Sequence, residues 1–277
     1  MSTAAQDTGA PDTGAPRAHC TVDADGRTTF RVALRPAGRP RLALVPRPKK
    51  NAPQQPTRLL DLEPHGDDGD LRAVLEPLPA LAEGRWDAYL MREPDAVRER
   101  LRPGLRDLRA LVDGSLREWP SPVAVRVPYA TKDGFLAVRA WLRPAHAEAG
   151  RLDLADGAMT VHARLHGAEL SDDATALLRL RSDRGTTRSF PLRTDGSGFS
   201  FTAPFGELTG GASGDQLWDV FLRPAAGAPP VRIGRLLDDM ADRKTVCVYP
   251  ALTVGEAAVR PYYTVDNDLA VEVTAVH

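Results

Sequence analysis

The sequence predicts an all-β protein made of two tandem, duplicated antiparallel β-sandwiches of the immunoglobulin-like type, behind a disordered N-terminal tail. Apolar and polar residues alternate with period two in many short runs, as they do in strands with one buried face. Clusters of Gly, Pro, Asp and Asn separate these runs at short intervals, which is typical of turns. An internal repeat further indicates that the fold occurs twice.

The tail comprises residues 1–17, where DTGAP occurs at 7–11 and again at 12–16. Small and polar residues cannot bury enough surface to offset the entropy lost on ordering, so we predict disorder here. The tail lacks the basic and then apolar pattern of a signal peptide. No apolar run in the chain approaches the roughly 20 residues that span a bilayer. We therefore expect a cytoplasmic protein that reaches a membrane only through a partner.

The composition argues against several classes of function. The 277 residues carry 36 basic and 37 acidic side chains, a net charge of −1, so no overall attraction to nucleic acid is expected. Arg supplies 32 of the 36 basic residues, a bias typical of GC-rich genomes such as those of actinomycetes. Cys20 and Cys247 are too few for a disulfide framework or a four-cysteine zinc site. We expect no metal or other cofactor.

The repeat consists of three landmarks that recur in the same order. VDADGRTTFRVAL resembles LDLADGAMTVHARL, GRWDAYL resembles QLWDVFL, and PYATKDGFLAV resembles PYYTVDNDLAV. Because the offsets between the copies are nearly constant, we predict two copies of one unit, with domain 1 at 18–145 and domain 2 at 146–277. The landmark pairs are Gly26 and Gly157 (offset 131), Trp86 and Trp218 (132), and Tyr129 and Tyr262 (133).

Each unit contains about seven predicted strands. HGDDGD (65–70) and TDGSG (194–198) are predicted hairpin turns, whereas 94–114 and 230–250 are predicted as strand, turn and strand. Several residues have predicted structural roles in both copies. The buried faces contain Leu136, Val138, Ala140 and Leu142, then Met159, Val161, Ala163 and Leu165, and finally Leu269, Val271, Val273 and Ala275. The repeated core residues are Trp86 and Trp218, each followed by an Asp (Asp87, Asp219), and Tyr129 and Tyr262 close the last strands.

One strand face differs between the copies. Phe135, Arg139 and Trp141 share the face opposite the predicted core, where copy two has Asp268, Glu272 and Thr274. Exposed rings stack on sugars and Arg binds phosphates, so this stripe, together with Tyr263, is a candidate ligand surface. It is equally a candidate docking surface for domain 2, just past a predicted linker at 143–150.

Other polar clusters are interpreted as solvated surface. His162 and His166 lie on one strand, about 13 Å apart at ~3.3 Å per residue, too far for one zinc ion. Three D-x-D triplets, at 23–25, 68–70 and 266–268, resemble the metal-binding motif of nucleotide-sugar transferases. They lack the α/β nucleotide-binding fold that such a motif needs around it. GRLLDDMADRK (234–244) is predicted to be a solvated, self-neutralising loop. With no nucleophile elbow or phosphate-binding loop either, the sequence indicates no catalytic residues.

From about residue 120 onward, the chain resembles a known family. VPYATKDGFLAVRAWLRPAHAE (127–148), LWDVFLRP (217–224), VRIGRLLDD (231–239) and RPYYTVDNDLAVEV (260–273) are similar to the accessory C-terminal β-sandwich region of actinomycete cell-wall glycopolymer (teichoic-acid-type) glycosyltransferases. The resemblance implies a non-catalytic binding or scaffolding role, with a glycosyltransferase or a glycopolymer as partner. The catalytic domain of that family has no counterpart in these residues. The alternative is a small standalone transferase with its site between the two sandwiches.

Overall fold

A computed structural model describes residues 15–34, 38–48, 53, 55–66, 69–94, 96–114, 119–210 and 214–276. Strands account for 55% of the structure and helices for 4%, which confirms the all-β prediction. Most of the predicted tail, residues 1–14, lies outside the described residues. We refer to residues 15–145 as the first half and to 146–276 as the second half.

The described residues of the first half form eleven strands and one short helix, α1 (Arg109–Asp113). Its strands are β1 (Arg17–Val22), β2 (Thr28–Ala33), β3 (Arg41–Pro46), β4 (Arg58–Asp61), β5 (Glu63–His65), β6 (Asp70–Leu75), β7 (Gly84–Met91), β8 (Glu99–Arg100), β9 (Arg102–Asp107), β10 (Val123–Ala130) and β11 (Leu136–Arg143).

The described part of the second half also forms eleven strands and one short helix, α2 (Gly206–Thr209). Its strands are β12 (His146–Ala155), β13 (Ala158–His166), β14 (Thr175–Leu180), β15 (Thr187–Pro191), β16 (Arg193–Asp195), β17 (Gly198–Pro204), β18 (Gln216–Arg223), β19 (Val231–Gly234), β20 (Leu252–Val254), β21 (Ala257–Tyr263) and β22 (Leu269–Ala275).

The strands of the first half form two sheets. One has the order β5-β6-β2-β1-β9, and the other has the order β10-β11-β7-β3-β4 with β8 added to β7. Apolar side chains from both sheets share one buried cluster, which includes Phe30, Leu44, Trp86 and Val138. Burial of this cluster between the sheets is the main stabilising contribution to this half.

The second half has matching strand pairs, but they join into a single sheet. Strand β19 pairs in parallel with β12 through Ile233 and antiparallel with β18 through Val231. In the first half two separate strands make the corresponding pairs: β9 pairs with β1, and β8 pairs with β7. The remaining pairs β1–β2, β2–β6, β5–β6, β3–β4, β3–β7, β7–β11 and β10–β11 have the counterparts β12–β13, β13–β17, β16–β17, β14–β15, β14–β18, β18–β22 and β21–β22.

The predicted core residues are largely buried. Trp86 is 4% exposed and Trp218 is 2% exposed, and they lie opposite Val138 and Val271 in equivalent strand pairs. Both predicted hairpin turns are confirmed, as β5–β6 and β16–β17, although Asp67 and Asp68 lie outside the described residues. Of the three predicted buried faces, only Leu142, Ala163 and Ala275 are not fully buried.

Several local predictions are wrong. The segment 94–114, predicted as strand, turn and strand, contains β8 and β9 and then the helix α1. His166 is only 4% exposed, because β13 is covered on both faces at its end. The segment 143–150 is not a linker, since β11 ends at Arg143 and β12 begins at His146. Residues 230–250 contain one strand, β19, followed by a long loop. The short connection and the long loop together bring the two halves into contact.

The described part of the chain meets neither the requirement for a metal site nor that for a membrane-spanning helix. It contains no group of three or more His, Cys, Asp or Glu side chains arranged to hold a metal ion. None of its helices is long and apolar enough to cross a membrane.

Candidate functional site

Strand β11 is buried on both faces. Leu136 and Val138 point into the core of the first half, and Trp141 belongs to a second buried cluster. Arg139 is 2% exposed and Trp141 is 1% exposed, because the second half covers this face. We call this contact the seam: Arg139, Trp141 and Arg143 on one side, and residues 234–243 and 264–268 on the other.

Trp141 is the centre of the seam. Its indole N–H donates a hydrogen bond to the backbone oxygen of Asp266, with an N to O distance of 3.0 Å. The Arg139 guanidinium lies 5.1 Å from the centre of the indole ring. Leu236 and Leu237 of the second half pack in the same apolar cluster and are each 1% exposed. Apolar burial therefore holds the halves together around one tryptophan.

Buried ion pairs surround this apolar centre. Arg139 pairs with Asp266, and Arg143 pairs with Asp268 at 2.7 Å and with Glu83 at 3.3 Å. Burial alone would lower the pKa of Arg143, but the Asp268 and Glu83 carboxylates outweigh burial and raise it. The guanidinium thus remains charged within the seam.

The turn that carries Asp266 and Asp268 has a special backbone conformation. Asn267 has a φ of 61°, a region that Asn tolerates better than most residues. Its side-chain oxygen accepts the backbone N–H of Arg243 at 3.0 Å, and its amide donates to the Met240 oxygen at 2.9 Å. The corresponding residue of the first half is Gly134, with a φ of 75°. A turn with a positive φ thus precedes the last strand in both halves. In the second half this turn also contributes residues to the seam.

The loop after β19 is not the solvated loop that the sequence predicts. Arg243 is 2% exposed and donates to the Arg235 oxygen at 3.0 Å, while it also pairs with Asp238. The Glu148 carboxylate accepts the backbone N–H groups of Leu236 at 2.8 Å and Leu237 at 3.1 Å. The Arg243 guanidinium and the backbone N–H groups of Leu236 and Leu237 thus find partners within the protein, which allows this part of the loop to be buried, whereas Asp239 and Lys244 are exposed.

The aspartate that follows each core tryptophan binds two arginines. Asp87 pairs with Arg47 at 2.7 Å and with Arg100 at 3.2 Å. Sequence reasoning noted the repeated Trp-Asp pair but missed these partners. One sequence signal for these partners is an arginine that occurs in both copies, as Arg100 and Arg232, at an offset of 132.

In the second half, Asp219 pairs with Arg181 at 2.6 Å and with Arg232 at 3.2 Å. Burial alone would raise the pKa of Asp219, but the hydrogen bond from Arg181 and the charge of Arg232 outweigh it and lower the pKa. A carboxyl whose pKa is lower in the folded than in the unfolded protein stabilises the fold above its unfolded pKa. That contribution is lost as the pH falls through the folded pKa.

We therefore expect Asp219→Asn to lower the free energy of unfolding at pH 7 by about 1–3 kcal/mol, because two charge-assisted pairs are weakened. The variant should also lose less stability than the wild type when the pH falls below about 4. Urea unfolding between pH 7 and pH 3 measures both effects. Asp195→Asn, at the exposed end of β16, is the matched control, and an unchanged acid dependence in Asp219→Asn would contradict the assignment.

The candidate ligand residues do not share one open surface. Trp141 and Arg139 are buried in the seam, and Tyr263 is 1% exposed. Phe135 is half-buried, with the guanidinium of Arg100 4.1 Å from its ring centre. This burial agrees with the docking interpretation of the stripe, and a ligand could reach Trp141 only if the halves separated. Ligand binding by this stripe stays a prediction.

The two adjacent tyrosines of β21 point in opposite directions. Tyr263 packs in the core of the second half, whereas Tyr262 is half-buried and faces outward. Tyr129, the counterpart of Tyr262, packs at the edge of the seam cluster. The outward face at Tyr262 lines an open pocket of about 340 Å³. A second pocket, of about 420 Å³, lies beside Trp86 in the first half.

The fold and the seam define the chain as an all-β protein whose two halves meet at a closed, partly charged contact. No protein family and no curated protein matches it. Among solved structures, TarS of S. aureus is similar with 15% identity and a TM-score of 0.38, over 61% of this chain and 32% of that chain.

Two further solved structures match this chain. Residues 217–571 of S. aureus TarS match with the same identity and TM-score, over 50% of that chain. A tetra-tandem repeat from the extending region of a large adhesion protein matches with 8% identity and a TM-score of 0.21, over 94% of this chain and 63% of that chain. The chain thus spans between a third and a half of the TarS chains.

Proposed function

We propose that this chain is a non-catalytic accessory protein that works with a cell-wall glycopolymer glycosyltransferase system by binding the polymer. In this proposal, residues 18–145 and 146–277 are two duplicated, immunoglobulin-like sandwich domains that form one rigid scaffold. The closed seam is the observation that carries it. Trp141 and the ion pairs of Arg143 fill the space between the halves.

Matching strand pairs support the duplication. The core tryptophans, Trp86 and Trp218, occupy equivalent places in these pairs. The aspartate that follows each tryptophan pairs with two arginines. One arginine directly follows the neighbouring strand (Arg47 after β3, Arg181 after β14), and the other belongs to β8 or β19. Shared polar contacts at equivalent positions support the duplication of one unit.

The seam also supports one of the two functional hypotheses over the other. A standalone transferase with its site between the sandwiches needs a concave cleft with convergent polar groups. The seam instead has an apolar centre, and its carboxylates at 266 and 268 are paired with arginines. This arrangement favours a binding or scaffolding role.

The sequence resemblance supplies the partner class, an anionic cell-wall glycopolymer or the enzyme that builds it. The similarity to TarS, a teichoic-acid glycosyltransferase, concerns a protein of that same class, but at a TM-score of 0.38 it adds no weight. A cytoplasmic location, with membrane contact through the glycosyltransferase, remains part of the proposal.

The proposed function is tested by sedimentation with purified cell walls. We expect the chain to co-sediment with walls that carry their anionic glycopolymer and not with walls stripped of it by hydrofluoric acid. In parallel, incubation with radiolabelled nucleotide sugars and the same walls should transfer no label. Equal sedimentation with stripped walls would contradict polymer binding, and label transfer would contradict a non-catalytic role.

A further inference from the structure

The open pocket of the second half lies on the outer face of β18, β21 and β22. Its volume is about 340 Å³, which is within the range of small-ligand sites. The segment after the buried loop forms one wall, because Val248 bridges to Tyr262 on the edge of β21. Every residue that lines the pocket belongs to the second half, so the pocket does not depend on the seam.

The pocket lining is cationic. Arg181, Lys244 and Arg260 contribute three positive charges and Glu272 one negative charge, and since Arg181 also pairs with Asp219 at 2.6 Å, the net charge of the lining with this partner is +1. Lys244 is exposed and pairs with no carboxylate among the described residues. Arg260 pairs with Glu272 at the edge of the sheet, and a guanidinium has further N–H donors for a ligand. This arrangement suits an anionic group such as a phosphate.

Aromatic rings lie beside these cations. Tyr249 and Tyr262 both line the pocket and both are half-buried. Tyr249 is supported from below by Tyr263, with ring centres 6.2 Å apart. Held tyrosines present an apolar face and a hydroxyl together, which is the combination that a sugar ring requires. Two exposed apolar residues, Val246 and Val248, flank the cationic wall and are 63% and 68% exposed.

The equivalent face of the first half is already occupied. There Arg139 and Trp141 are covered by the second half, whereas the corresponding residues Glu272 and Thr274 (each at an offset of 133) remain half-buried. The same sheet face therefore forms an internal contact in one half and an open pocket in the other.

We infer that this pocket binds one phosphorylated sugar or polyol unit, with the phosphate at Lys244 and Arg260 and the sugar against Tyr262. The inference rests on the proposed function and names the surface through which the chain holds the glycopolymer. A nucleotide sugar contains the same chemistry, so the experiment must separate the two sources.

Calorimetric titration with a short sugar-phosphate oligomer tests the inference, with a neutral dextran oligomer and UDP-glucose as the other two probes. We expect Lys244→Gln to weaken binding of the sugar-phosphate oligomer about fivefold, because one charge-assisted contact is lost. Tyr262→Ala should weaken it about tenfold, whereas Tyr262→Phe, which keeps the ring, should stay within about twofold. Lys132→Gln, which removes an exposed lysine of the first half, is the matched control.

The outcomes separate this inference from the proposed function. If the wild type binds the oligomer and the pocket variants bind equally well, the pocket assignment is wrong while polymer binding stands. If the wild type binds none of the probes and does not sediment with glycopolymer-bearing walls, both are wrong. Tighter binding of UDP-glucose than of the oligomer would overturn the assignment to a polymer. Unchanged melting temperatures in the variants show that any loss of binding is local.

Discussion

Trp141→Ala is expected to lower the free energy of unfolding by about 3–5 kcal/mol, the usual cost of removing a large buried aromatic side chain. The variant loses the apolar contact with Leu236 and Leu237 and leaves the backbone oxygen of Asp266 without its indole donor. Because these groups belong to different halves, we also expect the variant to unfold in two transitions where the wild type unfolds in one. Differential scanning calorimetry measures both effects.

Two variants make this result specific. Trp141→Phe keeps an aromatic ring but removes the N–H donor, so a smaller loss of about 1–2 kcal/mol is expected. Thr274→Ala changes the equivalent position of the second half, on its open face, and should cost less than about 0.5 kcal/mol. A Trp141→Ala protein that melts as the wild type does would show that the seam contributes little to stability.

Asp268→Ala is expected to cost about 3 kcal/mol, because it removes a charge-assisted pair from both Arg143 and Arg232, which keep only Glu83 and Asp219 as partners. Asp268 is 6% exposed and pairs with Arg143 of the first half at 2.7 Å and with Arg232 of the second half at 3.2 Å. Loss of this carboxylate weakens the seam and the second half together. Chemical unfolding in urea measures the change.

A double-mutant cycle separates the contact between Asp268 and Arg143 from the other contacts of Asp268. Arg143→Met alone removes one partner, and Arg143→Met combined with Asp268→Ala should cost at least about 1 kcal/mol less than the sum of the two single changes. Asp239→Ala, at an exposed position of the neighbouring loop, controls for the loss of one acidic charge. Additive effects in the cycle would contradict a direct interaction between Arg143 and Asp268.

The strand pattern could be predicted because it is local. Alternating residues such as Met159 and Val161 are both fully buried, since successive side chains of a strand point to opposite sides. Turn chemistry is local as well, since Asn267 adopts a positive φ in the turn before the last strand, a conformation that Asn tolerates. The three-part repeat likewise predicts that Trp86 and Trp218 lie in cores, and both are buried.

The seam and the pocket could not be predicted in this way. The alternation on β21 does not say which of Tyr262 and Tyr263 points inward, because that depends on the register with β22 and a shift by one residue reverses it. The loop at 235–243 has a polar composition that suits solvent. Its burial depends on Glu148 and on the turn around Asn267, which are distant in sequence.

The sequence thus predicts the strands and the turns, because backbone geometry and hydrophobic periodicity act over a few residues. The repeat also predicts which segments of the two halves correspond. It also shows that Arg139 and Trp141 share a face with a different composition from its counterpart. Whether that face binds a ligand or the other half depends on the two-residue connection between β11 and β12, which sets where the second half lies. Only the folded arrangement determines this, since burial is a property of surfaces that meet across the chain.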